Sequence, residues 1–491
     1  LVKLVPKTKD AYMLLHEGML AFAEVESNGL PIDIEYCKRA QKRLDKKISL
    51  IEKRIRKSKE FKKWKRHNRL KEFSVNSGDV IADLLFKYGG HKSQKETDSG
   101  KPSTDEEALA SLDCEVAKDI LKARKLLKAK NTYIGNFLKE SVSGIMRPMF
   151  NLHVAQTYRS SSEAPNFQNI PVRDPEIKKL CRMAFVPEPG YMIGEIDYSG
   201  AEVKGAYCYH QDPNMFKYLT DPSKDMHRDT AMDCYLLEMA QMTKDIRYCG
   251  KNKFVFPEFY GDYYKNCAEN LWSSIDQMDL KTADGVPLRE HLHSRGIQSY
   301  LKFEKRIQKV EDIFWNKRFR VYGKWKEKQW KDYLKKGEIY LYSGFTCSGV
   351  MSRKEVTNYP VQGFAFHWLL WSFIQIHKIF KKRGFKTRIL GQIHDSLVLM
   401  IWPPEINKVL RIVKTVMTKR VVQHWPVITI PLGIEVELAP VDMPWYYKKE
   451  VAYYPSCTCG NEWLYMKDVK DEDGNSLYTV AECPVCRGVR K

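Results

Sequence analysis

The stretch Ile193 to Lys204, IGEIDYSGAEVK, reads as a β-strand that runs into Asp197 and passes at once into a helix. Such a junction leaves the carboxylate at the strand tip, open to a cleft. A second stretch, Arg388 to Trp402, RILGQIHDSLVLMIW, holds two apolar runs around His394 and Asp395 and reads as a β-hairpin with its acid at the turn. Two aspartates on neighbouring strand ends can hold a pair of hard cations about 3.5–4 Å apart, the arrangement used for in-line phosphoryl displacement. A single aspartate at a strand end is ordinarily a turn former or a cap, so the pair draws its weight from the surrounding sequence.

Short β-like runs punctuated by Pro and Gly lie between Met149 and Ile196. Helical, basic and aromatic sequence separates the two acids from about Glu202 to Lys336, and a further strand pair is expected near Val427 to Leu438. The fold class is therefore α+β, one α+β domain interrupted by a long helical insertion. Toward the N-terminus, the amphipathic stretch Tyr12 to Val25 and the turn SNGLPID predict a helix and a short strand. From Lys38 to Lys71 the only acids are Asp45, Glu52 and Glu60, while Leu44, Ile48, Ile51 and Ile55 recur at helical spacing. That pattern predicts one long helix with an apolar stripe and a basic remainder. Residues 87–105 read as an exposed loop, and helical pattern resumes from Glu106 to about Asn131.

The chain has 491 residues, with 82 Lys plus Arg against 61 Asp plus Glu and a formal net charge of +21. Its 43% hydrophobic content is enough for packed cores and excludes disorder as the main state. No apolar run approaches the ~20 residues of a membrane span. The positive excess points to a polyanion, because each neutralised phosphate releases a condensed counterion; an anionic membrane surface is the rival. Of the 12 cysteines, eight are scattered singly and four cluster at the C-terminus, which suits a reducing compartment. The chain begins at Leu1, so targeting is not readable from this end.

Five segments resemble, in order, the family A DNA polymerases typified by bacterial DNA polymerase I and many phage replicases. They are TYRSSSEAPNFQNIPVR at Thr157 to Arg173, DYSGAEVK at Asp197 to Lys204, RYCGKNKFVFPEFYG at Arg247 to Gly261, NYPVQG at Asn358 to Gly363, and QIHDS at Gln392 to Ser396. Weaker likeness in AEVESNGLPID, NSGDVIADLL, STDEEAL and KLLKAKNTY extends it over about residues 10–445. The resemblance implies a right-hand polymerase fold with an antiparallel-sheet palm, helical fingers and a helical thumb. Its implied divisions are a palm-associated N-terminal segment (1–36), thumb (37–135), palm (136–205 and 345–450) and fingers (206–344), followed by a C-terminal element (451–491).

The implied activity is DNA-directed DNA synthesis from dNTPs on primer-template DNA, in phage genome replication, by a monomer in the cytoplasm of a bacterium or phage-infected cell. A replisome or a separate exonuclease is an implied partner, and no membrane is. Asp197 and Asp395 would hold two Mg²⁺ with the main-chain carbonyl of Tyr198. Arg247, Lys251 and His227 would take the triphosphate. Glu202 would be a gate against the ribose 2′-hydroxyl beside Tyr260, and Phe256 or Phe254 would stack on the incoming base. Arg159, Gln168, Asn169, Arg173, Gln362 and His394 match residues that follow the minor groove, and Asn76, Ser77, Arg124 and Lys128 match thumb contacts to duplex phosphates.

The sequence departs from the family pattern in several places. Eight residues separate Lys251 from Tyr260, with Pro257 among them, so one extra residue or a kink must be absorbed there. Ser396 follows the second aspartate where a glutamate is more common, and Gly200 and Ala201 replace larger residues. Nothing in residues 1–36 could hold a proofreading domain; the activity is lacking, or its domain lies upstream. Past Met443 the resemblance ends, and the cysteine pairs Cys457/Cys459 and Cys483/Cys486 flank an expected β-hairpin turning at Asp473 and Gly474. Four thiols in that pattern predict a zinc ribbon with structural Zn²⁺, against free thiols or disulfides. Arg487, Arg490 and Lys491 allow an added DNA or partner contact. Two other readings remain open from sequence: a single-subunit RNA polymerase and a non-catalytic DNA-binding replisome scaffold.

Overall fold

The computed structural model of the chain describes residues 3–490 apart from 94, 173, 456 and 471–475. Its centre is an eight-stranded sheet formed by β1 (Met192–Tyr198), β2 (Arg388–Ile393), β3 (Ser396–Ile401), β4 (Ile434–Leu438), β5 (Lys449–Tyr453), β6 (Trp463–Lys470), β7 (Ser476–Glu482) and β8 (Val489–Arg490). The spatial order is β2-β3-β1-β4-β5-β6-β7-β8, and every pairing is antiparallel. The two stretches that carry the aspartates are thus adjacent in the sheet although about 200 residues apart in sequence.

Register decides what the sheet presents. Asp197 on β1 lies opposite Ser396 on β3 and Glu435 on β4, and Glu195 lies opposite Val398 and Glu437. Because strand side chains alternate, Asp197 and Glu195 share one face, while Ile196 and Tyr198 point to the other. That other face packs on the 31-residue helix Arg353–Arg383, which opens with a Ser352–Glu355 capping box. Tyr198 is buried there, its hydroxyl 3.0 Å from Ser372 Oγ and donating to Met417 O at 2.8 Å. The N-terminal helix Lys9–Asn28 packs against the same long helix, with Phe22 and Phe373 ring centroids 4.7 Å apart.

The expected single helix over Lys38–Lys71 is two, Ile34–Lys57 and Lys59–His67. Ser58 divides them by taking an extended conformation and accepting from Phe61 N at 3.1 Å, a side-chain cap that starts the second helix. The apolar stripe is buried as expected, at Leu44, Ile48, Ile51 and Ile55. Only one strand, β4, forms in the expected pair near Val427–Leu438; Pro426 and Pro431 remove backbone donors from the segment before it. Within the stretch expected to be β-like, residues Pro175–Arg182 form a helix, capped by Asp174 and opened by a proline at its first position. The block between the acids is helical from Ala201 to Lys336, as expected. Among the described residues, no helix is long and apolar enough to cross a membrane.

Candidate active site

Asp395 sits in the tight turn between β2 and β3, where His394 takes a left-handed φ of 51°. Tyr198 N donates to Asp395 O at 3.3 Å, which ties that turn to the end of β1 and brings Asp197 beside it. Asp197 Oδ1 is buried and has no hydrogen-bond partner among the described residues. Burial first, then the charges of Asp395, Glu195 and Glu435, push the Asp197 carboxyl up to about 7. Burial also raises Asp395, opposed by Arg159, whose guanidinium lies 3.8 Å from Asp395 Oδ1. An unpartnered buried oxygen inside a carboxylate cluster fits hard divalent cations, which would supply the missing positive charge. Tyr198 can contribute only its main-chain carbonyl, since its phenol is spent on the opposite face.

A pH dependence follows. Near and below the ordinary carboxylate value of 3.8, folded and unfolded chains both protonate Asp197. Between that value and about 7, the folded chain keeps a proton that the unfolded chain has released, so metal-free stability falls as pH rises through this window. The stability difference between wild type and Asp197→Asn in EDTA should shift against wild type by at most about 4 kcal/mol from pH 4 to 7. Denaturant melts at both ends of the window check it, and Mg²⁺ should reverse the loss.

Sequence reasoning missed the residues beneath the pair. Glu195 Oε2 lies 2.5 Å from Lys448 Nζ and 3.7 Å from Arg182 Nη1, and accepts from Trp445 Nε1 at 3.1 Å. Its Oε1 accepts from Ser396 Oγ at 3.3 Å. Lys448 also pairs with Glu437, and the Arg182 guanidinium stacks on the Trp445 ring at 4.3 Å. The position that sequence marks as lacking a carboxylate is thus bonded to one supplied two residues before Asp197. Glu435, also unforeseen, flanks Asp197 from β4 and accepts from Ser199 Oγ at 3.1 Å.

The extra residue between Lys251 and Tyr260 is absorbed by a π-helical turn, Gly250–Val255, inserted between the helices Lys244–Cys249 and Phe256–Phe259. Pro257 falls in the first turn of the last of these, directly after the π-helical turn. The two phenylalanines at this turn are placed differently. Phe254 is fully buried against Phe314, at 5.4 Å between centroids. Phe256 faces out instead, with Lys251 Nζ 5.3 Å above its ring and His227 and Tyr260 at 5.6 and 6.2 Å. Arg247 Nε pairs with Asp225 at 2.5 Å. Burial, then Lys251 and Arg247, lower the His227 imidazole to about 4, and its Nδ1 is buried without a partner among the described residues. Three nitrogen-bearing side chains therefore converge with one exposed-side counterion, a set suited to a polyphosphate.

Glu202, Phe256, Tyr260, Asn358 and Gln362 line one small pocket. Glu202 pairs with Arg159, linking the pocket to Asp395. Burial raises the Glu202 carboxyl against that pairing. Asn358 Nδ2 donates to Tyr260 O at 2.8 Å and fastens the end of the π-interrupted helix to the long helix.

Other expected DNA contacts divide by what their side chains do. Asn169, Asn76, Lys128 and His394 are exposed. Gln168 is buried and donates to Ser160 Oγ and Gln392 Oε1, each at 2.7 Å, so it braces the β2 strand and offers no free donor. Arg124 donates to Val75 O at 2.5 Å and to Thr104 O, and Ser77 Oγ caps the helix Gly78–Ala82. Through these bonds Arg124 and Ser77 hold the loop around Asn76. Arg173, Asp473, Gly474 and Lys491 lie outside the described residues.

The model of DNA polymerase family A matches residues 34–442. The chain belongs to DNA polymerase family A. DNA polymerase I of Chloroflexus aurantiacus is 26% identical over 448 residues, covering 89% of this chain and 43% of that protein. DNA polymerase I of Geobacillus stearothermophilus is 27% identical over 436 residues, covering 87% and 45%, and the DNA polymerase of Bacillus phage SP01 is 24% identical over 459 residues, covering 82% and 46%. This family A chain therefore spans less than half the length of these relatives. The fold is shared with a solved structure, the POL domain of Pol1 from M. smegmatis in complex with DNA primer-template and dNTP. The TM-score is 0.70 at 20% identity, over 88% of this chain and 70% of that one.

Outside the family match, the four C-terminal cysteines of this family A chain come together. Cys457, Cys459, Cys483 and Cys486 place their sulfurs within 4.8 Å of one another. The other eight cysteines are free and buried.

Proposed function

We propose that this family A chain is the polymerase module of a DNA-directed DNA polymerase that extends a primer with dNTPs. The observation that carries the reading is one continuous set of contacts. It runs from the Asp197/Asp395 cluster, with its unpartnered buried oxygen, through Arg159 and Glu202 to the pocket of Tyr260 and Phe256, and on to Lys251 and His227. On this reading the sheet region of residues 136–205 and 345–450 is the palm, residues 206–344 the fingers and 37–135 the thumb.

Asp197, Asp395 and the Tyr198 carbonyl would hold two Mg²⁺, which supply charge to the attacking hydroxyl and to the triphosphate when bound. Arg247 and Lys251 orient the triphosphate and offset its charge, with His227 as a neutral partner. Phe256 offers a face to the incoming base, and Glu202 occupies the space a ribose 2′-hydroxyl needs. The primer oxygen forms its bond to the α-phosphorus as the bridge to the β-phosphate breaks, and pyrophosphate leaves. A phage replication setting is supported by the likeness to the phage SP01 enzyme.

Primer extension on a defined template with Mg²⁺, in parallel dNTP and rNTP lanes, tests the reading. Extension is expected with dNTPs and not with rNTPs. Glu202→Ala should raise ribonucleotide use relative to deoxynucleotide use by at least about tenfold. Equal use of both sugars by wild type would favour an RNA polymerase instead.

A further inference from the structure

The C-terminal cysteines are built into the sheet that carries Asp197, and we propose that they bind one structural Zn²⁺ that locks the outer strands onto it. Three sulfur contacts run around the cluster: Cys457 to Cys459 at 3.2 Å, Cys457 to Cys486 at 3.5 Å and Cys459 to Cys483 at 3.5 Å. A disulfide needs roughly 2.05 Å. Four thiolates around tetrahedral zinc, with Zn–S near 2.3 Å, need sulfurs about 3.8 Å apart, close to the observed spacing.

The backbone is shaped for such a site. Each cysteine pair sits in a tight turn: Gly460 N donates to Cys457 O at 3.0 Å with Gly460 at φ 82°, and Arg487 N donates to Cys483 O at 2.8 Å with Arg487 at φ 56°. The buried Asn461 points its Nδ2 at Cys483 Sγ, 3.5 Å away, as a donor beside a thiolate would. The four sulfurs leave no site for a substrate, so the metal is structural.

What the metal holds follows from strand alternation. Trp463 and Tyr465 on β6 face the main core, while Leu464 between them joins Ala481 and Cys483 in a small cluster under the cysteines. Among the described residues that cluster is three buried side chains with Cys457 and Val485 packed on it, too little to hold a three-stranded extension by itself. Both turns also dock inward. Asn407 bridges Gly460 O and Glu462 N at 2.7 and 3.0 Å, and Val441 N donates to Pro484 O at 3.2 Å. β6 in turn pairs with β5, at Val451–Tyr465 and Tyr453–Trp463, and β5 pairs with β4, which carries Glu435 opposite Asp197. Lys448, the partner of Glu195, immediately precedes β5.

The test uses the full chain purified under reducing conditions. Elemental analysis should find one zinc per chain, a mercurial should release it stoichiometrically, and cobalt exchange should give thiolate-to-cobalt charge-transfer bands. The Cys459→Ser/Cys486→Ser chain should hold less than about a tenth of that zinc, whereas Cys459→His should retain it. Hydrogen exchange of residues 449–453 should be at least about tenfold faster in the double-serine chain than in wild type. No zinc in wild type, undiminished zinc in the double-serine chain, or cysteines recovered as disulfides would overturn the site. Unchanged exchange at 449–453 in a zinc-free chain would overturn the locking role.

Discussion

Asp197→Asn should lower primer extension by at least about 10³-fold while leaving duplex binding within a few-fold of wild type. The side chain is isosteric, so the sheet and its register should persist; what disappears is a charge that the fold has concentrated at great electrostatic expense. Burial and three neighbouring carboxylates raise Asp197 to about 7, and its Oδ1 has no partner among the described residues. A main-chain hydrogen bond at Tyr198 offsets the ionised form only in part, so cation binding there should be strong and its loss correspondingly costly to the reaction. The same substitution removes one of the repelling acids and should make the metal-free chain more stable. Lower activity with higher metal-free stability is the signature to look for in matched assays and melts. A variant that extends primers at a tenth of the wild-type rate would contradict the role given to Asp197.

Glu195→Ala should destabilise the chain by about 3–5 kcal/mol, because it leaves buried positive charge without its partner. Lys448 and Arg182 have side chains only 8% and 5% exposed, and both face Glu195. Arg182 has already lost basicity to burial, with Glu195 its principal support. The remaining Glu437 can still pair with Lys448, which keeps the loss from being larger. Removing the lysine charge as well, in Glu195→Ala/Lys448→Met, should recover part of the loss, since Lys448 no longer needs a partner while Arg182 still lacks its principal one. Urea melts of Glu195→Ala, Lys448→Met and the double close the cycle; additive losses would show that the groups do not interact.

Much of this molecule could be read from its residues. The strand-then-helix reading at Asp197, the hairpin at Asp395 and the helical block between them all appear where expected, because each is written in local apolar pattern and turn residues. What escaped reading is non-local. Glu195 looks like an ordinary polar residue of an alternating strand, and its importance comes from Arg182 and Lys448, which are distant in sequence. The burial of Phe254 and the half-exposed setting of Phe256 accompany a π-helical turn, which periodicity at 3.6 residues cannot reveal. Ser58 reads as one more residue of a charged helix, yet its cap divides that helix. Gln168 matches an expected DNA contact by position, but its amide donors are spent on Ser160 and Gln392, and Arg124 spends two of its donors on Val75 and Thr104. Position alone could not show which polar groups remained free.

The central claim, templated nucleotidyl transfer at the Asp197/Asp395 cluster, is tested most directly by single-nucleotide insertion on four templates that differ only in the templating base. With Mg²⁺ present, each template should direct addition of its complementary dNTP, with one pyrophosphate released per nucleotide added and no insertion by Asp197→Asn. Addition independent of the templating base, or undiminished insertion by Asp197→Asn, would contradict the account.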